Sequence, residues 1–287
     1  MNNRSIYDEV CIAASRKTTR AFSTSFSLGV RMLDPRFRDQ IHAIYGFVRF
    51  ADEIVDTFHE HPQKELLNRF RADTELAIQE QISLNPILHS FQNVVRRSGI
   101  EWNLIDIFID SMAMDLERGE HDRTSFDQYI LGSADVVGLM CLRVFCDGDL
   151  VLYERLKPYA MSLGAAFQKV NFLRDLKQDN QELGRTYFPG TDLNALTADQ
   201  KQRIEDDIRA DFEHAAIGIR QLTKGARIGV QLAYVYYLCL YKKIRSTPAS
   251  ELFTRRISVR KRGKIRLLVG AVVQDKFYLL NKGDIYK

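Results

Sequence analysis

Apolar residues recur along most of the chain at steps of three and four residues. Three clear examples are the sets Ile41, Ile44, Phe47, Val48, Ala51, Ile54, Val55; Leu104, Ile107, Phe108, Met112; and Leu163, Ala166, Val170, Leu173. Long runs with a period of two are scarce. This spacing predicts amphipathic and buried helices rather than strands. Since no low-complexity linker or short repeat interrupts the pattern, we expect a single all-α domain, residues 1–287, with about eight to ten helices.

Two helix starts are marked by capping residues. Asp34 precedes Pro35, a pair that favours a helix beginning at the proline. Residues 187–200 are typical of a connecting segment followed by a new helix. Within it Thr197 stands three positions before Gln200, the spacing of a capping box.

Composition describes an ordinary soluble globular protein, with 45% apolar and 27% charged residues. The net charge of +4 is too small to imply nucleic acid by itself. We expect no signal peptide, because the N-terminus lacks an apolar core, and no membrane span, because runs such as VVGLMCL are short. The cysteines at 11, 141, 146 and 239 show no zinc spacing and favour reduced thiols in the cytoplasm.

The segment YGFVRFADEIVD places a polar stripe on an otherwise apolar helix. At ~100° per residue, the side chains of Tyr45, Arg49, Asp52 and Asp56 fall within ~60° of one another. Like charges four residues apart destabilise an isolated helix by a few tenths of a kcal/mol. The stripe therefore either faces water or has a cation in front of it.

A second polar stripe occurs in QKVNFLRDLKQDN. Gln168, Asn171, Asp175 and Asp179 share a face ~80° wide, and Arg174 directly precedes the first aspartate. The preceding half of this helix is apolar enough to be buried, and buried amides need hydrogen-bond partners. A solvent-facing ridge and a functional site remain open for both stripes.

Two other aspartate pairs have the same spacing of four. Asp207 and Asp211 lie in RIEDDIRADFE, which is charged nearly all round and predicts a solvated face. Asp106 and Asp110 have no arginine or amide before them, so we expect no site there either.

If the two polar stripes face each other, their carboxylates need cations. Two carboxylates ~6 Å apart repel by ~3 kcal/mol at an effective dielectric constant of ~20. Oxygen-only ligands on rigid helices suit Mg²⁺, with Mn²⁺ as the alternative. The chemistry implied is metal-assisted departure or transfer of a phosphate or diphosphate.

These segments resemble the two aspartate-rich motifs of the squalene/phytoene synthase family. Further similar segments follow in the family's order, over roughly residues 15 to 265: STSFSLG, SMAMDLE, YILGSADVVGLM, GRTYFP, YVYYLCLYKKI and RRISV. The chain differs from the usual pattern at Leu131 and Asp135, where a tyrosine and a glycine are common. The resemblance implies an isoprenoid-synthase-type helical bundle around a central cavity.

The resemblance also implies the activity, the head-to-head joining of two allylic isoprenoid diphosphates. The metal ligands would be Asp52, Asp56, Asn171, Asp175 and Asp179. The substrate-binding residues would be Ser23, Ser25, Ser27, Tyr45, Arg49, Asp115, Gln168, Asn171, Arg174, Arg185, Tyr187, Tyr237 and Arg256. The catalytic residues would be Tyr129, Arg49, Arg174, Asp52 and Asp175. A dry wall is expected from Phe22, Phe26, Phe47, Val137, Met140 and Leu163, for which core packing is the alternative.

The resemblance leaves three functions to distinguish. The pair Asp52-Glu53 in the first motif resembles phytoene synthases more than squalene synthases. We therefore expect two geranylgeranyl diphosphates to give phytoene without NADPH. The alternative is squalene or dehydrosqualene synthase acting on farnesyl diphosphate. A non-catalytic, family-shaped assembly protein is the third reading, against which the intact acidic pairs count.

The basic run RRISVRKRGKIR (255–266) has no interleaved aromatic residues, which argues against nucleic acid. Solvated charge is its simplest explanation, and contact with anionic lipid headgroups is a second. We therefore expect a cytoplasmic enzyme, peripheral at the inner membrane face, with a downstream desaturase as a further partner.

Overall fold

The computed structural model describes residues 2–116, 122–178, 188, 196–254 and 256–258, and none of them lies in a strand. The α-helices are α1 (Asn3–Phe22), α2 (Thr24–Arg31), α3 (Pro35–Asp56), α4 (Gln63–Glu80), α5 (Pro86–Ser98), α6 (Trp102–Met114), α7 (Arg123–Ile130), α8 (Val136–Cys146), α9 (Leu150–Gln178), α10 (Ala198–Gln221), α11 (Lys224–Arg245) and α12 (Ala249–Leu252). A π-helix, Leu131–Asp135, joins α7 to α8. The all-α prediction is confirmed.

Both predicted helix starts are present. Asp34 accepts a hydrogen bond from the backbone N–H of Arg36 at 3.1 Å, and Pro35 is the first residue of α3. Thr197 and Gln200 form the reciprocal capping box at the start of α10. These contacts satisfy backbone donors that the first helical turn leaves unpaired.

Two apolar cores hold the helices together. The first is centred on stacked rings, with Phe47 and Phe91 only 4.0 Å apart between centroids. The second surrounds Phe212 on α10 and packs against α9 and α11. α9 contributes Leu156 to the first core and Val170 to the second. Burial of each such side chain stabilises the fold by about 2–3 kcal/mol, so α9 ties the two halves together.

The continuous stretch Arg123–Cys146 runs through α7, the π-helix and α8 and forms one helical rod of 24 residues. By length and hydropathy it could cross a membrane, which the short uninterrupted apolar runs did not indicate. Its most apolar window is 72% buried inside the protein. Such burial is typical of the central helix of a water-soluble core.

The π-helix packs tightly against α9. A Cβ atom at Gly164 would lie 2.7 Å from the carbonyl oxygen of Ala134, closer than real Cβ atoms approach backbone. The missing side chain lets the two elements touch. Ser133 and Ala134 are thereby held at the wall of the cavity described next.

Candidate active site

A cavity of about 400 Å³ is lined by α2, α3, α8, α9, α10, α11 and the π-helix. Most of its polar lining residues belong to one connected group, which we call the mouth: Ser23, Ser25, Tyr45, Gln168, Asn171, Arg174, Tyr236 and Tyr237. The rest of the wall is almost entirely apolar. The two polar stripes predicted from sequence therefore do meet, through Tyr45 on α3 and Gln168, Asn171 and Arg174 on α9.

The α9 stripe forms a connected polar group. Asn171 donates from Nδ2 to Gln168 Oε1 at 3.3 Å, and Tyr237 hydrogen-bonds with Asn171 and Arg174. The Tyr237 ring also stacks on Phe167 at 3.9 Å. Burial raises the pKa of Tyr237, while Arg174 opposes that rise. The phenol consequently stays protonated at neutral pH and remains a hydrogen-bond donor.

Asp175 lies between two predicted arginines. Arg174 Nε lies 3.1 Å from both carboxylate oxygens of Asp175, and Arg256 Nε donates to Oδ1 at 2.7 Å. The Asp175 side chain is 16% exposed, whereas that of Arg256 is 60% exposed. Two guanidinium groups thus converge on this carboxylate at the end of the cavity that carries Arg174.

The α3 stripe is organised around Arg49. Its guanidinium pairs with Glu53, lies 4.0 Å from Asp52, and stacks over the ring of Phe22 at 4.4 Å. Within the part of the chain that the structure describes, its buried Nε has no hydrogen-bond partner. Arg49 therefore supplies one positive charge beside the carboxylates of this stripe. Sequence reasoning missed the contributions of Glu53 and Phe22.

Tyr45 connects α3 to α2. Its ring stacks on Phe26 at 4.8 Å and its hydroxyl hydrogen-bonds with Ser23. Burial raises the pKa of Tyr45, so this hydroxyl also stays protonated. Ser23 and Ser25 line the cavity as expected, but Ser27 is not among the lining residues and donates instead to the Thr19 carbonyl at 3.2 Å.

Asp115 and Tyr129 contact each other. Tyr129 Oη donates to Asp115 Oδ2 at 2.8 Å, which joins the end of α6 to α7. Tyr129 is buried against Phe172. Neither Asp115 nor Tyr129 is among the residues that line the cavity. Three further predicted residues, Asp179, Arg185 and Tyr187, lie outside the described residues.

The model of one protein family, squalene/phytoene synthase, matches residues 19–263. The chain belongs to this family. Among its relatives, a 15-cis-phytoene synthase of a Paracoccus species is 28% identical over 267 residues, covering 86% of each chain. A presqualene diphosphate synthase of Zymomonas mobilis is 30% identical over 243 residues, covering 78% of this chain and 81% of its own.

Solved structures show the same fold. A dehydrosqualene synthase with a bound ligand superposes with a TM-score of 0.80 at 20% identity, covering 94% of this chain and 98% of its own. A squalene synthase from Alicyclobacillus acidocaldarius gives a TM-score of 0.74 at 18% identity, with 84% and 95% covered. The family thus establishes head-to-head condensation of isoprenyl diphosphates as the activity class, while its members differ in substrate.

The expected dry wall is only partly correct. Phe26, Val137 and Leu163 line the cavity, but Phe47 and Met140 are fully buried in the first core. Phe22 is 49% exposed and covers Arg49. Periodicity marks which residues are apolar, and it does not separate a cavity wall from packed core.

Two aspartate pairs away from the mouth have cationic partners of their own. Lys169 Nζ lies 2.6 Å from Asp207 Oδ2 and 2.7 Å from Asp211 Oδ2. The solvated-face prediction fits Asp207, at 45% exposed, and is wrong for Asp211, at 19%. Asp106 and Asp110 both pair with Arg71 of α4, at a site distinct from the cavity.

The donors at the mouth suit a hard divalent cation. The Oδ1 atom of Asn171 is buried, lies on a cavity-lining side chain and has no hydrogen-bond partner among the described residues. Such an oxygen is costly to bury unless a ligand contacts it. Within the described ranges, which omit Asp179, no three histidine, cysteine or acidic side chains group as a complete metal site. The residues present supply oxygen ligands only, the type that Mg²⁺ prefers.

Proposed function

We propose that this protein condenses two geranylgeranyl diphosphates head to head into phytoene, through a cyclopropylcarbinyl diphosphate. One observation carries the proposal: an apolar cavity ends at a mouth where Tyr45, Gln168, Asn171 and Arg174 converge. A molecule with a long apolar chain and a charged head matches this division. The Paracoccus relative named as a 15-cis-phytoene synthase supports the twenty-carbon substrate.

The arginines hold the diphosphate. Arg174 lines the cavity, Arg49 lies within the first acidic motif, and Arg256 pairs with Asp175 of the second. A guanidinium group binds phosphate oxygens in a bidentate fork and stabilises the charge that grows as the diphosphate leaves. Because the Arg174 side chain is mostly buried, its attraction for the diphosphate is stronger than it would be in water.

Mg²⁺, with Mn²⁺ as the alternative, would be held by Asp52, Asp56, Asn171, Asp175 and Asp179. When bound, the metal neutralises charge on the departing diphosphate. The unpartnered Asn171 oxygen and the carboxylate of Asp175 support this assignment. Tyr129 and Asp115 act together as a positioning pair that keeps α6 and α7 in place beside this end.

The apolar wall protects the reaction from water. Ionisation of the first substrate releases its diphosphate and leaves an allylic cation. The double bond of the second chain attacks this cation, and loss of a proton closes the cyclopropane ring. A second ionisation and rearrangement then opens the cyclopropyl ring, and loss of a proton yields the hydrocarbon. Aromatic faces at Phe26, Phe167 and Tyr237 stabilise the cationic stages. Excluding water prevents their capture as alcohols.

A product assay tests the proposal. Purified protein is incubated with Mg²⁺ and either geranylgeranyl or farnesyl diphosphate, with and without NADPH, and the hydrocarbon is identified by mass. Phytoene formed without NADPH is the expected result. A thirty-carbon product from farnesyl diphosphate alone supports the dehydrosqualene alternative, and one that needs NADPH supports squalene.

A chelator control accompanies the assay. EDTA should stop diphosphate release and added Mg²⁺ should restore it. Release of no diphosphate from either substrate would contradict the proposal and support the non-catalytic family member.

We also propose a cytoplasmic protein that sits peripherally at the inner membrane face and passes its product to a desaturase. The lipid nature of substrate and product and the basic residues 255–266 support this, although most of that segment lies outside the described residues. Sedimentation with anionic vesicles that weakens with added salt is expected. Equal sedimentation with neutral vesicles, or tight salt-sensitive DNA binding alone, would contradict it.

A further inference from the structure

In the part of the cavity away from the mouth, one aromatic side chain packs directly against a glycine. Tyr159 of α9 lines the cavity, and so does Gly218 of α10. A Cβ atom at Gly218 would lie 2.3 Å from Cβ and 2.8 Å from Cγ of Tyr159. The tyrosine therefore occupies a notch that exists only because residue 218 has no side chain.

The outer side of this ring is also covered. The His214 ring lies 4.6 Å from that of Tyr159, and His214 Nδ1 is hydrogen-bonded to the Ser162 hydroxyl at 2.8 Å. Movement of Tyr159 away from the cavity would disturb this pair. A methyl group added at Gly218 would overlap Cβ of Tyr159, which the α9 backbone fixes, so the backbone there and the ring must both shift.

The position of Tyr159 corresponds to a defined length of prenyl chain. At 1.5 Å per residue, Tyr159 lies about 18 Å along α9 from Asn171, and Leu156, which also lines the cavity, lies about 22 Å from it. An extended five-carbon unit adds about 5 Å, from carbon–carbon bonds of about 1.5 Å. A chain of three units ends near Ala160, whereas the fourth unit must pass Tyr159.

We propose that Tyr159, seated against Gly218, sets the prenyl chain length that the cavity accepts. This rests on the proposed function, in which prenyl chains occupy the cavity. The neighbouring wall residues Leu156 and Phe145 belong to the first core and are packed on several sides. The position of Tyr159 depends on the absence of a side chain at residue 218. A single substitution at either residue can therefore change the shape of this part of the cavity wall.

Two substitutions should shift specificity in opposite directions. Tyr159→Ala removes the ring beside the fourth unit and should raise the use of geranylgeranyl over farnesyl diphosphate at least tenfold. Gly218→Ala crowds Tyr159 at the cavity wall and should lower the same ratio about tenfold, since one methylene of space in an apolar pocket is worth roughly 10-fold or more. Tyr159→Phe keeps the ring and serves as the matched control, with a ratio close to that of the wild type.

The experiment is a competition assay. Each variant receives both diphosphates at equal concentration, and mass spectrometry gives the ratio of forty-carbon to thirty-carbon products. Circular dichroism and thermal unfolding confirm the fold, and Tyr159→Leu replaces the alanine variant if that one unfolds. Opposite shifts in the Tyr159→Ala and Gly218→Ala variants support the inference.

The failures are distinguishable. Folded, active variants with an unchanged ratio, or a shift of both in one direction, would overturn the inference and leave the proposed function intact. A wild-type protein that consumes neither diphosphate would overturn the proposed function and the inference with it.

Discussion

Carboxylates spaced four residues apart occur in two contrasting environments in this protein. Beside the mouth of the cavity, Asp175 pairs with the mouth residue Arg174 and with the largely exposed Arg256. On α10, Asp207 and Asp211 share Lys169, whose side chain is 9% exposed. The sequence spacing is the same, and the nature and burial of the cation differ.

That difference separates a binding role from a structural one. A guanidinium group has five donors and can contact a carboxylate and a phosphate together, so Arg174 and Arg256 remain able to engage a diphosphate. The Lys169 ammonium group is enclosed between α9 and α10, where its charge is matched by the α10 carboxylates. We therefore expect substitutions at the mouth to affect turnover and substitutions around Lys169 to affect stability.

The largest effect, on the rate of diphosphate release, is expected from the aspartates beside the mouth. Asp52→Asn and Asp175→Asn should each lower the rate of diphosphate release by roughly 10³-fold, because the site loses charge that holds and balances the metal. Asp110→Asn, in the pair held by Arg71, is the matched control and should keep the wild-type rate. Circular dichroism checks the fold, and a near-normal rate in either mouth variant would refute the metal assignment.

A smaller effect, on stability, is expected at Lys169. Lys169→Met leaves the partly buried Asp211 without its partner and should lower the free energy of unfolding by about 3 kcal/mol, measured by urea titration. The double variant Lys169→Met/Asp211→Asn should recover part of this loss. A single variant as stable as the wild type would show that the buried ammonium group contributes nothing.

The next effect depends on pH and concerns Asp135 at the end of the π-helix. Burial raises the pKa of this carboxyl to about 7, and Asp211 adds to the rise, while Lys169 of α9 and the backbone N–H of Ala165 oppose it. The folded protein holds a proton here that the unfolded chain loses near pH 4, so stability from this group falls as pH rises from about 4 to about 7.

Asp135→Asn tests that sign. The amide mimics the protonated acid, so the melting temperature of the variant should exceed that of the wild type at pH 8 by several degrees, with the difference shrinking as pH falls from about 7 towards about 4. Thermal unfolding of both proteins from pH 5 to pH 9 measures it. A difference that stays constant across this range would contradict the assignment.

The smallest effect is expected at Arg71, which pairs with Asp106 and Asp110 on the protein surface. Arg71→Met should change the free energy of unfolding by less than about 1 kcal/mol, because exposed ion pairs are screened by water. Urea titration alongside Lys169→Met makes the comparison direct. A loss equal to that of Lys169→Met would mean that burial does not distinguish the two clusters.

Much of the site could be predicted from local spacing. The Asp34–Pro35 and Thr197–Gln200 starts depend on residues within one turn, and both are present. The two polar stripes likewise follow from the helical period, and the structure brings Tyr45 together with Gln168, Asn171 and Arg174.

Partners far apart in sequence could not be predicted in this way. Lys169 stands inside the second motif, yet its side chain faces α10 rather than the cavity, which changes the meaning of Asp211. The pairing of Tyr129 with Asp115 and of Arg256 with Asp175 also depends on how helices pack. Ser23 and Ser25 line the cavity, whereas the Ser27 hydroxyl turns to the Thr19 carbonyl. The sequence does not distinguish the three serines, because the packing of α2 decides which of them reach the cavity.

The sequence by itself determined that the chain is helical, where several helices begin and that two of them carry acids and arginines on one face. The tertiary structure alone decided which of those acids meet arginines beside a cavity, which meet a buried lysine, and which side chains line the far end of that cavity. The physical reason is the distance along the chain over which each effect acts. Helical periodicity and capping act over a few residues, whereas burial, charge partners and cavity depth are set by helices that meet across the fold.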